Sequence, residues 1–347
     1  MRFLIVGAGA IGSLVGGRLA LAGHRVTLVG REATVRALRT LGLRVVEDGQ
    51  TTITRQVSAA ASLAEAFSAA QRYDLACLTV KSYDTATAAA ELAAATSSPP
   101  SVVTFQNGVG NEQMLIERFG AARVLSATIT APVQVLEPGM VSVARSGRVD
   151  LSPTDPGGSV LGLNQALAEA GFDVRLHGDY RALKWSKLLM NMIGNATCAI
   201  LDWSPTRVFA DRRLCALEMQ AVREGMDVMS AEGIRLARVG SYPVPLVAPL
   251  LTNLPPPLLQ PLLLRIIGNA RGGKTPSLHI DLRRGRGKSE VDVLNGAICR
   301  AGARLGLHVP ANQALHGALM ALTRREVAWD HYRDKPERLL RETSLAD

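Results

Sequence analysis

A glycine-rich turn near the start of the chain has the residue types and spacing of a phosphate-binding loop. The apolar run Phe3–Val6 leads into GAGAIG at residues 7–12, and a second apolar run follows one helix later. Gly7 permits a tight turn, Gly9 lets a pyrophosphate approach the backbone, and Gly12 lets the helix pack closely on a sheet. The helix N-terminus adds N–H donors and a positive dipole end. This order of elements predicts a dinucleotide-binding unit.

The residues after the second strand bear on which dinucleotide binds. NAD-binding units usually place an acidic residue there to hold the ribose 2′-hydroxyl. This chain has Gly30, followed by Arg31 and Glu32. Arg31 can bind a 2′-phosphate bidentately and stack on adenine. The sequence therefore predicts NADP, whereas a contact of Glu32 with the ribose would favour NAD.

Two further polar residues follow apolar runs that read as strands. Lys81 follows the run 74–80, and Asn107 follows the run 101–105. Each residue alone is typical of a solvated loop or a plain turn. Ligands of open α/β sheets bind beyond the carboxyl ends of the strands, so we expect Lys81, Asn107 and the glycine turn to line one crevice.

A second set of polar residues lies within the later part of the chain. Lys187, Asn191 and Asn195 are spaced i, i+4 and i+8, which predicts an ammonium and two carboxamides on one face of a single helix. Their neighbours are apolar, which favours a largely buried helix whose polar groups need partners. An exposed polar stripe on an amphipathic helix explains the spacing equally well.

The elements that must position these residues divide into two domains. Residues 1–177 alternate between strands and helices, which predicts a Rossmann-type α/β domain for dinucleotide binding. Short alternating strands between Arg123 and Leu151 predict an antiparallel edge to its sheet. Residues 178–347 are mostly helical in pattern, which predicts an all-α second domain.

Composition excludes several other classes of protein. The net charge of +9 fits an anionic ligand, but aromatic residues make up only 4% of the chain and none interleaves with a basic run, which disfavours nucleic acid. The four cysteines form no CxxC pair and have no histidine at a metal-ligand spacing, so we expect no metal site. Scattered thiols of this kind predict a reducing compartment, the cytoplasm.

Two apolar stretches raise the question of a membrane. The N-terminal stretch is interrupted by glycines from Gly7 onwards, which fits neither a spanning helix nor a secretion signal. The stretch 241–267 is rich in leucine, but its many prolines exclude a spanning helix. We expect it to pack on the helical domain; a homodimer surface and a lid over the pocket are the alternatives.

Taken in order, several motifs resemble the ketopantoate reductase (2-dehydropantoate 2-reductase) family over nearly the whole chain. They are GAGAIG, VKS after a strand, FQNGVGNE, KLLMNMIGN, DLRRGRGKSEVDVLNG and LGLHVPAN. The loop 283–288 is slightly longer and more basic than the family's commoner form, and Ser289 stands where threonine is usual. The stretch 241–267 resembles an insertion.

The resemblance implies roles for individual residues. It implies a catalytic pair, Lys187 and Glu290. It implies a substrate site made of Asn107, Asn191, Asn195 and Ser277. It implies a cofactor site made of Gly7, Ala8, Gly9, Ala10, Ile11, Gly12, Arg31, Lys81, Asn107, Ala131 and Glu290.

The resemblance also implies a reaction, the NADPH-dependent reduction of ketopantoate to pantoate. A hydride would reach C2 of the 2-oxo acid, and Lys187 would donate the proton, held in place by Glu290. The insertion leaves a different branched 2-oxo acid open as substrate. A non-catalytic NADP(H)-binding sensor is the alternative from another class, although a sensor has no need of a proton donor.

Overall fold

The computed structural model describes residues 1–68, 72–254, 259–261, 263–264 and 275–343. The chain forms two compact units. The first comprises Met1–Leu183 with Val239–Tyr242, and the second comprises Lys184–Arg238 with Pro243–Asp347. The division falls inside a helix, whereas the sequence predicts it at 177/178. The return of Val239–Tyr242 to the first unit has no local sequence signal.

The first unit is built on a mixed sheet that has eight strands over the described residues, in the order β12-β11-β8-β7-β6-β1-β2-β5. Its strands are β1 Arg2–Val6, β2 Arg25–Val29, β5 Val57–Ala60, β6 Leu75–Leu78, β7 Ser101–Thr104, β8 Val124–Ile129, β11 Arg148–Pro153 and β12 Asp173–Leu176. The run from β8 to β5 is parallel throughout. Phe3–Val6 is buried on both faces, which explains its unbroken apolar sequence.

Helices cover the two faces of this sheet and bury two apolar clusters against it. They are α1 Ala10–Leu21, α2 Glu32–Leu41, α3 Leu63–Ser68, α4 Thr85–Ala95, α5 Asn111–Phe119 and α6 Leu161–Glu169. The predicted Rossmann-type α/β domain is therefore confirmed.

The region between Arg123 and Leu151 differs from its predicted arrangement. The sheet does acquire an antiparallel pair, β8 with β11. The hairpin between them, β9 Val133–Glu137 and β10 Met140–Val143, instead belongs to a separate sheet with β3 Leu43–Glu47 and β4 Gln50–Thr54, in the order β4-β3-β10-β9. Pairing of β10 with β3 joins segments far apart in sequence, so local alternation could not reveal it.

The second unit is helical over the residues described. Its helices include α7 Tyr180–Met192, which starts in the first unit, and α8 Asn195–Leu201, α9 Pro205–Ala210, α10 Arg212–Ala231, α11 Val244–Asn253, α12 Ser277–Arg283, α13 Asn295–Leu305, α14 Pro310–Thr323 and α15 Pro336–Arg341. This confirms the predicted helical second half.

The apolar stretch 241–267 lies only partly within the described residues. Its helix α11 packs on α10 and buries Ala248 and Leu251, as predicted, while Leu246 and Leu250 are exposed. Pro249 lies inside this helix. Along the described parts of the chain, no helix is both long enough and apolar enough to cross a bilayer.

Candidate functional site

The glycine turn between β1 and α1 has the geometry of a phosphate cradle. Gly7 adopts φ +114°, and its N–H and that of Ala8 both donate to the Val29 carbonyl, at 3.0 and 2.9 Å. A Cβ built on Gly9 has no neighbour within 4 Å, so this side of the turn is open. Gly9 also precedes α1, whose N-terminus has no side-chain cap. The open face therefore offers helix N–H donors to an anion.

The other glycine of the motif faces the protein. A Cβ on Gly12 would lie 2.1 Å from the Gly7 carbonyl oxygen and 2.5 Å from Thr79 Oγ1. Thr79 donates to that same Gly7 oxygen at 2.7 Å. Gly12 thus lets α1 contact the turn, and Thr79, at the end of the neighbouring strand, fixes the turn's carbonyl. Sequence reasoning missed Thr79.

Strand order brings the predicted cofactor residues to one edge of the sheet. The adjacent parallel strands β8, β7, β6, β1 and β2 are followed, in that spatial order, by Ala131, Asn107, Lys81, the glycine turn and Arg31. Gly147 packs on the backbone of Ala131, where a Cβ would lie 2.1 Å from its nitrogen. Strands β2 and β5 lie on one side of β1, and β6, β7 and β8 lie on the other side. The reversal of strand order beside β1 is the switch point at which open α/β sheets bind ligands.

Arg31 is exposed directly before α2, and its guanidinium has no hydrogen-bond or ion-pair partner among the residues described. Gly30 before it packs against Ala8, where a Cβ would lie 2.8 Å from Ala8 Cβ. A larger residue at position 30 would therefore push on the glycine turn. Arg31 thus follows a residue that contacts the turn and carries no carboxylate.

A buried polar network ties the loop after β6 to the loop after β7. Gln106 Nε2 donates to the Val80 carbonyl at 3.0 Å and to Thr85 Oγ1 at 2.7 Å. Thr85 in turn donates to Asn111 Oδ1 at 2.8 Å. The Asn107 carbonyl accepts from Ser82 Oγ at 2.7 Å and from Asn111 Nδ2 at 3.0 Å. These residues, which the sequence did not single out, set the backbone positions of Lys81 and Asn107.

We expect Gln106→Leu to lower the free energy of unfolding by about 1–3 kcal/mol, because it leaves buried partners unsatisfied. Gln113→Leu is the matched control, since Gln113 is exposed and bonds only Glu117 among the described residues. It should cost less than about 0.5 kcal/mol. Urea unfolding followed by circular dichroism measures both values. Equal losses would contradict the role given to the network.

In the second unit, the predicted polar row is divided between two helices. α7 ends at Met192, Gly194 adopts φ +66°, and α8 starts at Asn195. The prediction of one continuous helix through Asn195 is therefore wrong. Glu218, which is 2% exposed, fixes the break by accepting from Gly194 N at 2.6 Å and from the Thr197 hydroxyl. The turn needs an αL residue, and glycine supplies it.

The break nevertheless keeps three of the four predicted substrate residues together, namely Asn191, Asn195 and Ser277. Asn195 Nδ2 donates to the Asn191 carbonyl at 3.0 Å and to Ser277 Oγ at 3.2 Å. Its Oδ1 accepts from Leu278 N at 3.1 Å. Asn195 is buried, Ser277 is exposed, and Lys187 lies partly exposed one turn before Asn191 on α7. The cluster presents an ammonium, amides and a hydroxyl that can bind oxyanions.

Glu290 opens a short 3₁₀ turn, Glu290–Val293, and is 4% exposed. The turn is held at its start by Ser289 Oγ, which accepts from Val291 N at 3.2 Å. It is held further on by Asp292, which contacts His316 Nε2 at 3.2 Å and Arg300 Nη1 at 3.0 Å. The hydrogen bond from His316, together with Arg300, lowers the pKa of Asp292 to about 2. Asp292 therefore stays ionised at neutral pH.

The late motifs LNG, at residues 294–296, and PAN, at residues 310–312, lie in a buried cluster around Glu224. Glu224 accepts from the backbone N–H groups of Ala311 and Asn312, both at 2.9 Å, and from Asn312 Nδ2 at 2.7 Å. Asn295 Nδ2 donates to Asn312 Oδ1 at 3.0 Å. This carboxylate satisfies the N-terminus of α14, where the helix dipole favours a negative charge. The two motifs have this structural role in common.

Each half of the chain matches a model of one family. Residues 3–156 match the model described as ketopantoate reductase PanE/ApbA, and residues 179–323 match its C-terminal model. A 2-dehydropantoate 2-reductase of Halobacterium salinarum is 34% identical over 241 residues, which are 68% of this chain and 78% of that protein.

Solved structures agree with this match. The crystal structure of a PanE/ApbA family ketopantoate reductase from Ralstonia eutropha JMP134 has a TM-score of 0.79 and 31% identity, and the match covers 94% of this chain and 99% of that one. A D-mandelate dehydrogenase with NADH and anilino(oxo)acetate has the same TM-score and coverage at 22% identity, which shows a shared fold. The chain belongs to the ketopantoate reductase PanE/ApbA family of oxidoreductases.

Proposed function

We propose that this protein reduces ketopantoate to pantoate with NADPH. The observation that carries the proposal is the alignment of the glycine turn, Lys81, Asn107, Ala131 and Arg31 along one sheet edge, in a chain of the ketopantoate reductase family. The relatives named 2-dehydropantoate 2-reductase support the substrate, and the D-mandelate dehydrogenase structure with NADH supports a nicotinamide dinucleotide.

The residues of the turn fit such a cofactor. The open space at Gly9 and the uncapped N-terminus of α1 suit a pyrophosphate, and Arg31 suits a 2′-phosphate. Lys81 and Asn107 would hold the dinucleotide further along the edge. When bound, the nicotinamide ring supplies the hydride for C2 of the 2-oxo acid.

The second unit would bind the substrate and supply the proton. Asn191, Asn195 and Ser277 would orient the carboxylate and hydroxyl groups of the 2-oxo acid, and Asn107 would also reach it. As C2 gains the hydride, charge develops on the carbonyl oxygen. The Lys187 ammonium would stabilise this charge and protonate the oxygen, and the resulting amine would regain a proton from water. Glu290 would keep Lys187 charged and oriented, and would also contact the cofactor.

We expect Arg31→Ala to weaken NADPH binding about ten- to hundredfold, the value of a charge-assisted hydrogen bond to a phosphate, while NADH binding changes less than about twofold. Arg36→Ala is the matched control, because Arg36 is exposed on α2, the helix that Arg31 precedes. Fluorescence titration of each cofactor gives the dissociation constants. Equal losses for NADPH and NADH would refute the assignment of Arg31 to the 2′-phosphate.

Substrate choice is tested by steady-state kinetics with ketopantoate and a panel of other branched or bulky 2-oxo acids. We expect the highest kcat/KM with ketopantoate. A higher value with another acid would move the substrate assignment to that acid and leave the reaction type unchanged.

We also place the enzyme in the cytoplasm. The four cysteines are free thiols, which supports this location.

A further inference from the structure

A cleft of about 520 Å³ lies at the opposite end of α12 from Ser277. Its wall includes the loop after α12 and the loop after α14, all within the second unit. Ser277 opens α12, and the cleft lining begins at Asp281 near the other end of this helix, so the helical rise between them is about 6 Å. None of the residues proposed for catalysis or substrate binding lines this cleft.

Three arginines line the cleft, namely Arg283, Arg286 and Arg325. Arg283 shares Asp202 with His279, through contacts of 2.8 and 2.6 Å. Within the described ranges, no carboxylate is paired with Arg286 or Arg325. Two guanidinium groups are thus available on the wall of a concave surface.

The two loops approach each other at the arginines. A Cβ on Gly285 would lie 3.2 Å from Nη2 of Arg325, so this guanidinium lies against the loop that carries Arg286. Asp281 is the acidic residue among the lining residues; it is 4% exposed and engaged in an interaction of its own. The cleft therefore carries an excess of positive charge.

An aromatic ring completes the cleft. The indole N–H of Trp329 donates to the Ala199 and Ile200 carbonyls at 3.0 and 3.1 Å, which fixes the ring, and Leu322 and Val327 also line the cleft. A fixed apolar surface next to unpaired guanidiniums suits a ligand with a flat or apolar part and an anionic part.

Helix dipoles explain some of the basic residues but not these two. α12 ends at Arg283 and α14 ends at Thr323, and cations in a last turn stabilise the negative end of a helix. This accounts for Arg283 and for the cap residue Arg324. Arg286 and Arg325 lie beyond the helix ends, and Arg325 adopts φ +60°, a conformation that side chains other than glycine and asparagine rarely take.

We propose that this cleft binds a phosphate-bearing small molecule, whose phosphate groups are held by Arg286 and Arg325 and whose remaining part packs on Trp329. Guanidinium groups bind phosphate oxygens through paired, charge-assisted hydrogen bonds. The loop 283–288, which the family resemblance implies to be slightly longer and more basic than the commoner form, then has a ligand-binding function. The proposal does not depend on the reaction that the enzyme catalyses.

The test is a titration with pyrophosphate, followed by tryptophan fluorescence and by calorimetry. The wild-type protein should bind with a saturable signal that Trp329→Phe removes. Arg286→Ala with Arg325→Ala should lower the affinity at least tenfold. Arg324→Ala is the matched control, because Arg324 faces Glu326 at 3.7 Å, and it should bind as the wild type does.

Binding of pyrophosphate at the glycine turn is common to all these variants, and the fluorescence signal that depends on Trp329 separates it from binding in the cleft. All four residues lie in the second unit, so circular dichroism spectra and cofactor affinities should match the wild type. Equal pyrophosphate affinity in the wild type and the double variant would overturn the proposal. So would a loss of the same size in Arg324→Ala, which would indicate a general effect of net charge.

Discussion

Lys187→Ala is expected to lower kcat with ketopantoate by about 10²- to 10⁴-fold, the usual contribution of a positioned general acid. Lys187 lies one turn before Asn191, whose carbonyl accepts from the Asn195 Nδ2 that also donates to Ser277. Under the proposed mechanism, removing the ammonium would leave the developing alkoxide without its cation and proton source. NADPH affinity should stay within about twofold of the wild type, since the proposed cofactor residues other than Glu290 lie in the first unit.

Two variants make this test specific. Lys187→Arg keeps a positive charge but holds its proton too tightly to donate it, so its turnover should also remain low. Lys335→Ala removes an exposed lysine whose Nζ bonds only the Asp330 carbonyl among the described contacts, and it should turn over normally. Near-normal kcat in Lys187→Ala would refute the proposed mechanism.

Alanine at two glycines of the same turn should have opposite consequences. A Cβ on Gly12 meets the Gly7 carbonyl oxygen at 2.1 Å, so Gly12→Ala must displace the turn or the helix. We expect the free energy of unfolding to fall by at least about 2 kcal/mol, which outweighs the helix preference of alanine. Gly9→Ala meets nothing within 4 Å and should change stability by less than about 1 kcal/mol.

Cofactor affinity should fall in the Gly9 variant, whose stability is nearly unchanged. Gly9→Ala places a methyl group on the open face of the turn, and we expect NADPH affinity to fall at least about tenfold in a protein of normal stability. Gly162→Ala is the control, on an exposed stretch of α6 where a Cβ has no neighbour. Thermal unfolding and fluorescence titration give the two readouts. A stable Gly12→Ala, or unchanged affinity in Gly9→Ala, would contradict the geometry assigned to the turn.

Much of the first unit could be predicted from the sequence because its signals are local. The strand Phe3–Val6, the GxGxxG turn and the following helix fall within residues 2–21, as the motif predicts. The second sheet could not be predicted in this way. It depends on β3 and β10, which pair in parallel although about a hundred residues separate them, and no periodicity records such a pairing.

The candidate site likewise contains residues with local sequence signals and residues that depend on distant contacts. The spacing of Gly7, Gly9 and Gly12 predicts their role. The positions of Lys81 and Asn107 directly after apolar runs predict that they lie at the ends of strands. Thr79 and Gln106, which hold these residues in position, have no spacing signal, because each acts through a contact with a distant strand or loop. The break at Gly194 was missed because the apolar pattern runs through it, and its partner Glu218 comes from another helix.

We propose above all that this protein transfers a hydride from NADPH to ketopantoate. Its most direct test mixes purified protein with both compounds, follows the loss of NADPH absorbance and quantifies pantoate in the same sample. We expect one pantoate to form for each NADPH consumed, at a rate that depends on Lys187. NADPH bound tightly but not consumed with ketopantoate or any other 2-oxo acid would contradict it and would favour a protein that senses the cofactor.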